Sequence, residues 1–147
     1  MTMQRRPLGG GRTLAALGAV VALAGSVLPW WRLGRPGELP PLSGNAFEGS
    51  GILVFLVAVA TLALVALPYA MGDRPTTIDR WISYAVLAVV GWIGLVFRVV
   101  QLTLEGAFRF DEPAQVFTNG PGLWVAGIGL GILARAVYRM TREPAYR

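Results

Sequence analysis

The chain contains no cysteine, no histidine and no lysine. Without cysteine there is no disulfide and no thiol nucleophile. Without cysteine or histidine, the usual ligands of zinc, copper, haem and iron–sulfur clusters are missing too. A serine or threonine nucleophile needs a neighbouring base, and the apolar runs offer Ser26, Thr61 and Ser83 with no histidine or lysine to activate them. Acidic residues are scarce, eight in all, and each falls in an expected loop or at an expected helix end. A proton-coupled exporter needs a carboxylate inside the membrane, so that class is disfavoured as well. The composition leads to a non-enzymatic protein with no metal and no cofactor.

What the chain has in place of these residues is apolar length. The runs Thr13–Trp31, Gly49–Gly72, Trp81–Leu104 (broken only by Arg98) and Pro113–Ala134 are each long enough to cross about 30 Å of hydrocarbon. At 147 residues, 54% of them hydrophobic, there is room for one membrane domain and little else. The expected helices are 13–31, 50–71, 80–104 and 122–138. Loops at 32–49 and 105–121 lie on one side and a tight turn at 72–79 on the other. The first run follows Arg5, Arg6 and Arg12 and passes Ala22-Leu23-Ala24, a possible signal cleavage site. It then continues to Trp30 and Trp31, which favours an uncleaved first span.

In a soluble protein the net charge of +5 would suggest nucleic acid; in a multi-pass chain it is a topology signal. With the N-terminus in the cytoplasm, the inner side holds nine arginines (Arg5, Arg6, Arg12, Arg74, Arg80, Arg135, Arg139, Arg142 and Arg147) against three acids. The outer side holds four, Arg32, Arg35, Arg98 and Arg109, against five acids. Basic residues accumulate on the cytoplasmic face, so both termini are expected there and no nucleic-acid partner is expected.

Small residues indicate how the helices pack. Ala15, Gly18, Ala22, Gly25 and Pro29 recur at alternating spacings of 3 and 4 and share one face of the first helix. The fourth helix repeats the pattern with Trp124, Gly127, Gly131, Ala134 and Tyr138. Such faces let helix backbones approach closely, for packing within the bundle or for dimerisation, with crossings near +20° favoured. The third helix carries Tyr84, Leu87, Gly91, Gly94, Arg98, Gln101 and Glu105 on one stripe, so its small residues give way to polar ones toward the outer side. A charged side chain within a span should face protein or water rather than lipid. Two readings of Arg98 follow. In one it is satisfied by Gln101, Glu105 or Glu48; in the other, Arg98 and Gln101 floor an outward vestibule walled by Trp30, Trp31 and Trp124, which receives an anionic or amphipathic ligand. Pro29 closes the first helix, and Trp30 and Trp31 are expected as anchors at headgroup depth. Phe108, Phe110 and Phe117 are expected to lie back on the same interface.

The missing cysteines separate the chain from claudin-like and tetraspanin-like proteins. Leu28-Pro29-Trp30-Trp31, a Gly/Pro loop, Asn45-Ala46-Phe47-Glu48-Gly49, a long Leu/Val/Ala helix and Gly122-Leu123-Trp124 before a last helix with basic residues after it resemble small actinobacterial four-helix membrane proteins of unknown function. That resemblance implies a topology and no activity. The expectation is an all-α, membrane-embedded up-and-down bundle of four transmembrane helices in the cell membrane. Its partners would be the lipid bilayer and either a second copy of itself or another membrane protein.

Overall fold

The computed structural model describes residues 9–33, 42–71, 78, 80–106 and 120–143. Within them lie four long helices: α1 (Gly10–Val27), α2 (Ile52–Ala70), α3 (Trp81–Leu104) and α4 (Pro121–Met140). Two short strands, β1 (Trp31–Leu33) and β2 (Leu42–Gly44), form an antiparallel ribbon between α1 and α2, with Trp31 opposite Gly44 and Arg32 opposite Ser43. A single 3₁₀ turn, Gly49–Gly51, leads into α2. All four helices are long and apolar enough to cross a membrane. The expected turn at 72–79, apart from Ile78, and the loop aromatics Phe108, Phe110 and Phe117 lie outside the described residues.

The first helix ends four residues earlier than expected, and Pro29 explains why. In a continuing helix the Gly25 carbonyl would accept from the amide of residue 29, but proline has none. Leu28 donates back to Ala24 at 3.3 Å and then turns extended. The two orphaned carbonyls find other donors: the Trp30 indole Nε1 donates to Gly25 at 2.8 Å, and the Ala46 amide to Ser26 at 3.3 Å. The Trp30 amide donates to Gly44 at 2.7 Å, and the Gly122 amide to Pro29 at 2.9 Å. The end of α1, the ribbon and the start of α4 are thus tied together, an arrangement called here the hairpin end of the bundle.

Alanines pack into the core beside large side chains such as Trp30, Tyr84, Leu130 and Leu133, and many other large apolar residues stand outside. Ala15, Ala19, Ala22, Ala58, Ala88, Ala126 and Ala136 are buried, while Leu17, Val20, Leu56, Val86, Val96, Phe97 and Ile128 are exposed. Where lipid replaces water, apolar surface has no reason to hide and helices associate through close contact instead. Each helix packs on the next in sequence and α4 returns to α1, which closes the bundle.

The α1–α4 seam is antiparallel and brings backbone against backbone. A Cβ placed on Gly18 would stand 2.7 Å from the Leu133 nitrogen, and one on Gly25 would stand 2.7 Å from the Ala126 Cα. Ala22 lies between them at 1% exposure, facing Gly129. On α3, a Cβ on Gly91 would meet the Leu130 side chain at 2.6 Å, and one on Gly94 the Leu53 Cβ at 2.6 Å.

Packing within the bundle falls to a different face of α4 from the one expected. The face that meets α1 is Gly122, Ala126, Gly129, Leu133, Ala136 and Met140, not the stripe of Gly127 and Gly131. A Cβ on Gly131 would meet nothing within 4 Å, and one on Gly127 only a Leu95 methyl at 3.7 Å. Both stripes obey the same 3-4 spacing. The bundle uses the one whose glycines oppose Gly18 and Ala22, because only small residues on both sides allow that separation.

Candidate functional site

Polar groups gather where α3 reaches the hairpin end. Arg98 stands about two turns below the helix terminus and is only 5% exposed. Its Nη2 lies 3.4 Å from Glu48 Oε2, and its Nη1 lies 4.0 Å from Glu105 Oε2. Glu48 also accepts from the Trp31 indole at 3.0 Å, so one carboxylate ties the ribbon to α3. The Ser50 hydroxyl donates to Gln101 Oε1 at 3.1 Å, with the Gly94 carbonyl 3.4 Å away as an alternative acceptor. Gly49 sits between these groups with φ +65, where a Cβ would be strained and would stand 3.1 Å from Arg98 Nη1 and 3.0 Å from Gln101 Oε1.

The electrostatics favour a pin over a receptor. One guanidinium faces two carboxylates, so the cluster carries net negative formal charge and offers no attraction to an anion. Both carboxylates reach water, with side chains 49% and 62% exposed against 6% for Arg98. The cation is therefore buried under its counterions, as expected when it locks α3 to the segment before α2. Arg98 Nε is buried with no hydrogen-bond partner among the described residues.

The three tryptophans do not wall an open vestibule. Trp30 is fully buried, and Cβ atoms on Gly51 and Gly122 would meet its ring at 3.1 and 2.7 Å. It plugs the hairpin end and caps α1, so it is not an anchor in the headgroup layer. Trp31 is spent on Glu48, whereas Trp124 is 40% exposed on the outside of α4. A shallow polar cavity of about 330 Å³ does exist nearby, bordered by Pro29, Arg32, Ser43, Asn45 and Glu48. Arg98, Gln101 and Glu105 do not line it. Of the expected site residues, the structure brings Arg98, Gln101, Glu105 and Trp31 to one region, buries Trp30 in the core of the same end and leaves Trp124 on the outside of α4. It adds Ser50 and Gly49, which sequence reasoning passed over; the signal for Ser50 was its place at the head of α2, level with the polar end of an antiparallel α3.

The hydroxyls within the helices are occupied. Ser26 donates to Ala22 at 2.9 Å, Thr61 to Val57 at 2.8 Å and Ser83 to Ile78 at 2.6 Å, each to a backbone carbonyl. Among the described residues, no three His, Cys, Asp or Glu side chains gather as a metal site would require. Comparison with protein families, with curated proteins and with solved structures returns no match.

Proposed function

We propose that this chain is a non-enzymatic, multi-pass protein of the cell membrane, with both termini in the cytoplasm, that works by lateral association with a second copy of itself or with a larger membrane complex. The observation that carries this reading is the open stripe on α4. Gly18, Gly25, Gly91 and Gly94 are all closed by neighbouring helices, whereas Gly131 is open and Gly127, its small-xxx-small partner, is half-buried and meets only a Leu95 methyl at 3.7 Å. The polar cluster supports the same reading, because Arg98 is neutralised by the protein's own carboxylates. The hairpin end carries the acids and α4 ends in Arg135, Arg139 and Arg142, which agrees with the basic end facing the cytoplasm.

The test is subunit counting in vesicles by single-molecule photobleaching, together with native purification in mild detergent. Association that falls away in Gly131→Leu but persists in Leu17→Ala, on the exposed side of α1, supports the reading. A chain that stays monomeric at all protein-to-lipid ratios, and purifies alone, refutes it.

A further inference from the structure

The basic end of the bundle holds a second feature, apart from the Arg98 cluster, where the α4 stripe of Gly127 and Gly131 runs on through Ala134 and Tyr138. Between α3 and α4 runs an apolar groove of about 350 Å³, open to the side and lined by Ala85, Ala88, Trp92, Ile93, Ala134 and Val137. The alanines leave the space, while Trp92 and Ile93 stand exposed at its rim. One turn beyond Ala134 on the same face of α4 is Tyr138, 47% exposed. Its ring is flanked by two guanidinium groups: the Arg135 Cζ lies 5.3 Å and the Arg142 Cζ 4.6 Å from the centroid. Arg142 also donates to the Tyr138 hydroxyl, which leaves that hydroxyl's own proton to donate elsewhere.

The charges differ within this stretch. Arg139 pairs with Glu143 at 3.5 Å and packs beside Gly10. Arg135 and Arg142 have no carboxylate within ion-pairing distance among the described residues. They are positioned by stacking on Tyr138, and no described carboxylate neutralises them. On α3, Trp81 stands one turn before Ala85 at the same end, a residue suited to headgroup depth.

We infer that this groove binds an anionic phospholipid, with an acyl chain along Ala85, Ala88 and Ala134 and the phosphate held by Arg135, Arg142 and the Tyr138 hydroxyl. This rests on the reading of the helices as membrane spans. An apolar channel ending in two pre-positioned guanidinium groups, neither paired with a carboxylate among the described residues, matches an amphiphile with a negative head. A partner helix would fill the groove but would leave both cations without counterions. A zwitterionic lipid would bring its own ammonium up against them.

The experiment uses the full chain reconstituted in bilayers of mixed phosphatidylglycerol and phosphatidylcholine. Lipid retained on the protein is read by native mass spectrometry, and tryptophan quenching is read with brominated forms of each lipid. The expected result is roughly tenfold preferential retention of phosphatidylglycerol, with quenching that drops in Trp92→Phe. The double variant R135Q/R142Q should lose the preference, and Tyr138→Phe should weaken it. Ala134→Leu, which fills the groove, should reduce Trp92 quenching by either lipid. Leu17→Ala, on the exposed side of α1 and away from the groove, should leave retention unchanged. Equal retention of both lipids by an inserted protein overturns the site alone, as does a Trp92 shielded from both lipids by a second copy. A protein that washes from vesicles at alkaline pH overturns the spanning reading and the site with it.

Discussion

Two glycines on α4, two residues apart, should respond to the same substitution with opposite sign. At Gly129 a new Cβ would stand 2.7 Å from both the Ala22 Cα and the Gly18 carbonyl oxygen. These are backbone atoms on the facing helix, so no side-chain rotation relieves the clash and α1 must move away from α4. Overpacking of this kind costs about 1–3 kcal/mol. Alanine's better helix propensity returns about 0.8–1.0 kcal/mol, which leaves a net loss except at the bottom of that range. At Gly131 the same methyl meets nothing within 4 Å, so only the propensity gain remains. The two variants should therefore differ by about 1–3 kcal/mol, which at 2 kcal/mol is roughly 30-fold in folding equilibrium. Reversible unfolding of each purified variant in mixed micelles, followed by helical circular dichroism, reads this directly. Equal stabilities, or a Gly131→Ala variant weaker than Gly129→Ala, would show that the close seam of α4 is not the one described.

Trp30→Phe should cost about 1–3 kcal/mol, because the Gly25 carbonyl loses the donor that replaces the missing Pro29 amide; the same unfolding assay checks it. A variant as stable as the parent would mean that the cap does not matter. The ion cluster should respond asymmetrically. Arg98→Met leaves two carboxylates that already reach water and should cost about 1 kcal/mol or less, while Glu48→Gln strips a buried guanidinium of its nearer partner and should cost about 1–3 kcal/mol. The reverse order, measured side by side, would show that Arg98 is the exposed member and the carboxylates the buried ones.

The parts of this fold that were legible in the sequence are those that follow from single-helix geometry. Arg98 and Glu105 are seven residues apart and so share a face, and Glu48 precedes an antiparallel neighbour, so their meeting at one end needed no tertiary information. The stripes on α1 and α3 were equally plain, since their small residues fall into one 3-4 series each. On α4, glycine stands at 127, 129 and 131, which permits two such series. Only the opposing surface of α1 decides between them. Trp30 shows a different limit: a Pro-Trp-Trp run marks a helix end near an interface, but which donor takes over the carbonyl that proline leaves unserved depends on how the chain turns next. The ribbon and the burial of Trp30 between Gly51 and Gly122 follow from that turn.

The central claim is a four-span bundle with its hairpin end outside and its basic end inside, and its most direct test is thiol accessibility. The chain has no cysteine, so a single introduced one is the only target. Ser43→Cys lies on the exposed ribbon, and Ile78→Cys lies exposed between α2 and α3 at the other end. In intact cells, an impermeant maleimide should label the first and reach the second only after the membrane is opened. Labelling of Ile78→Cys but not Ser43→Cys would invert the orientation, and labelling of both in sealed cells would contradict the spanning bundle.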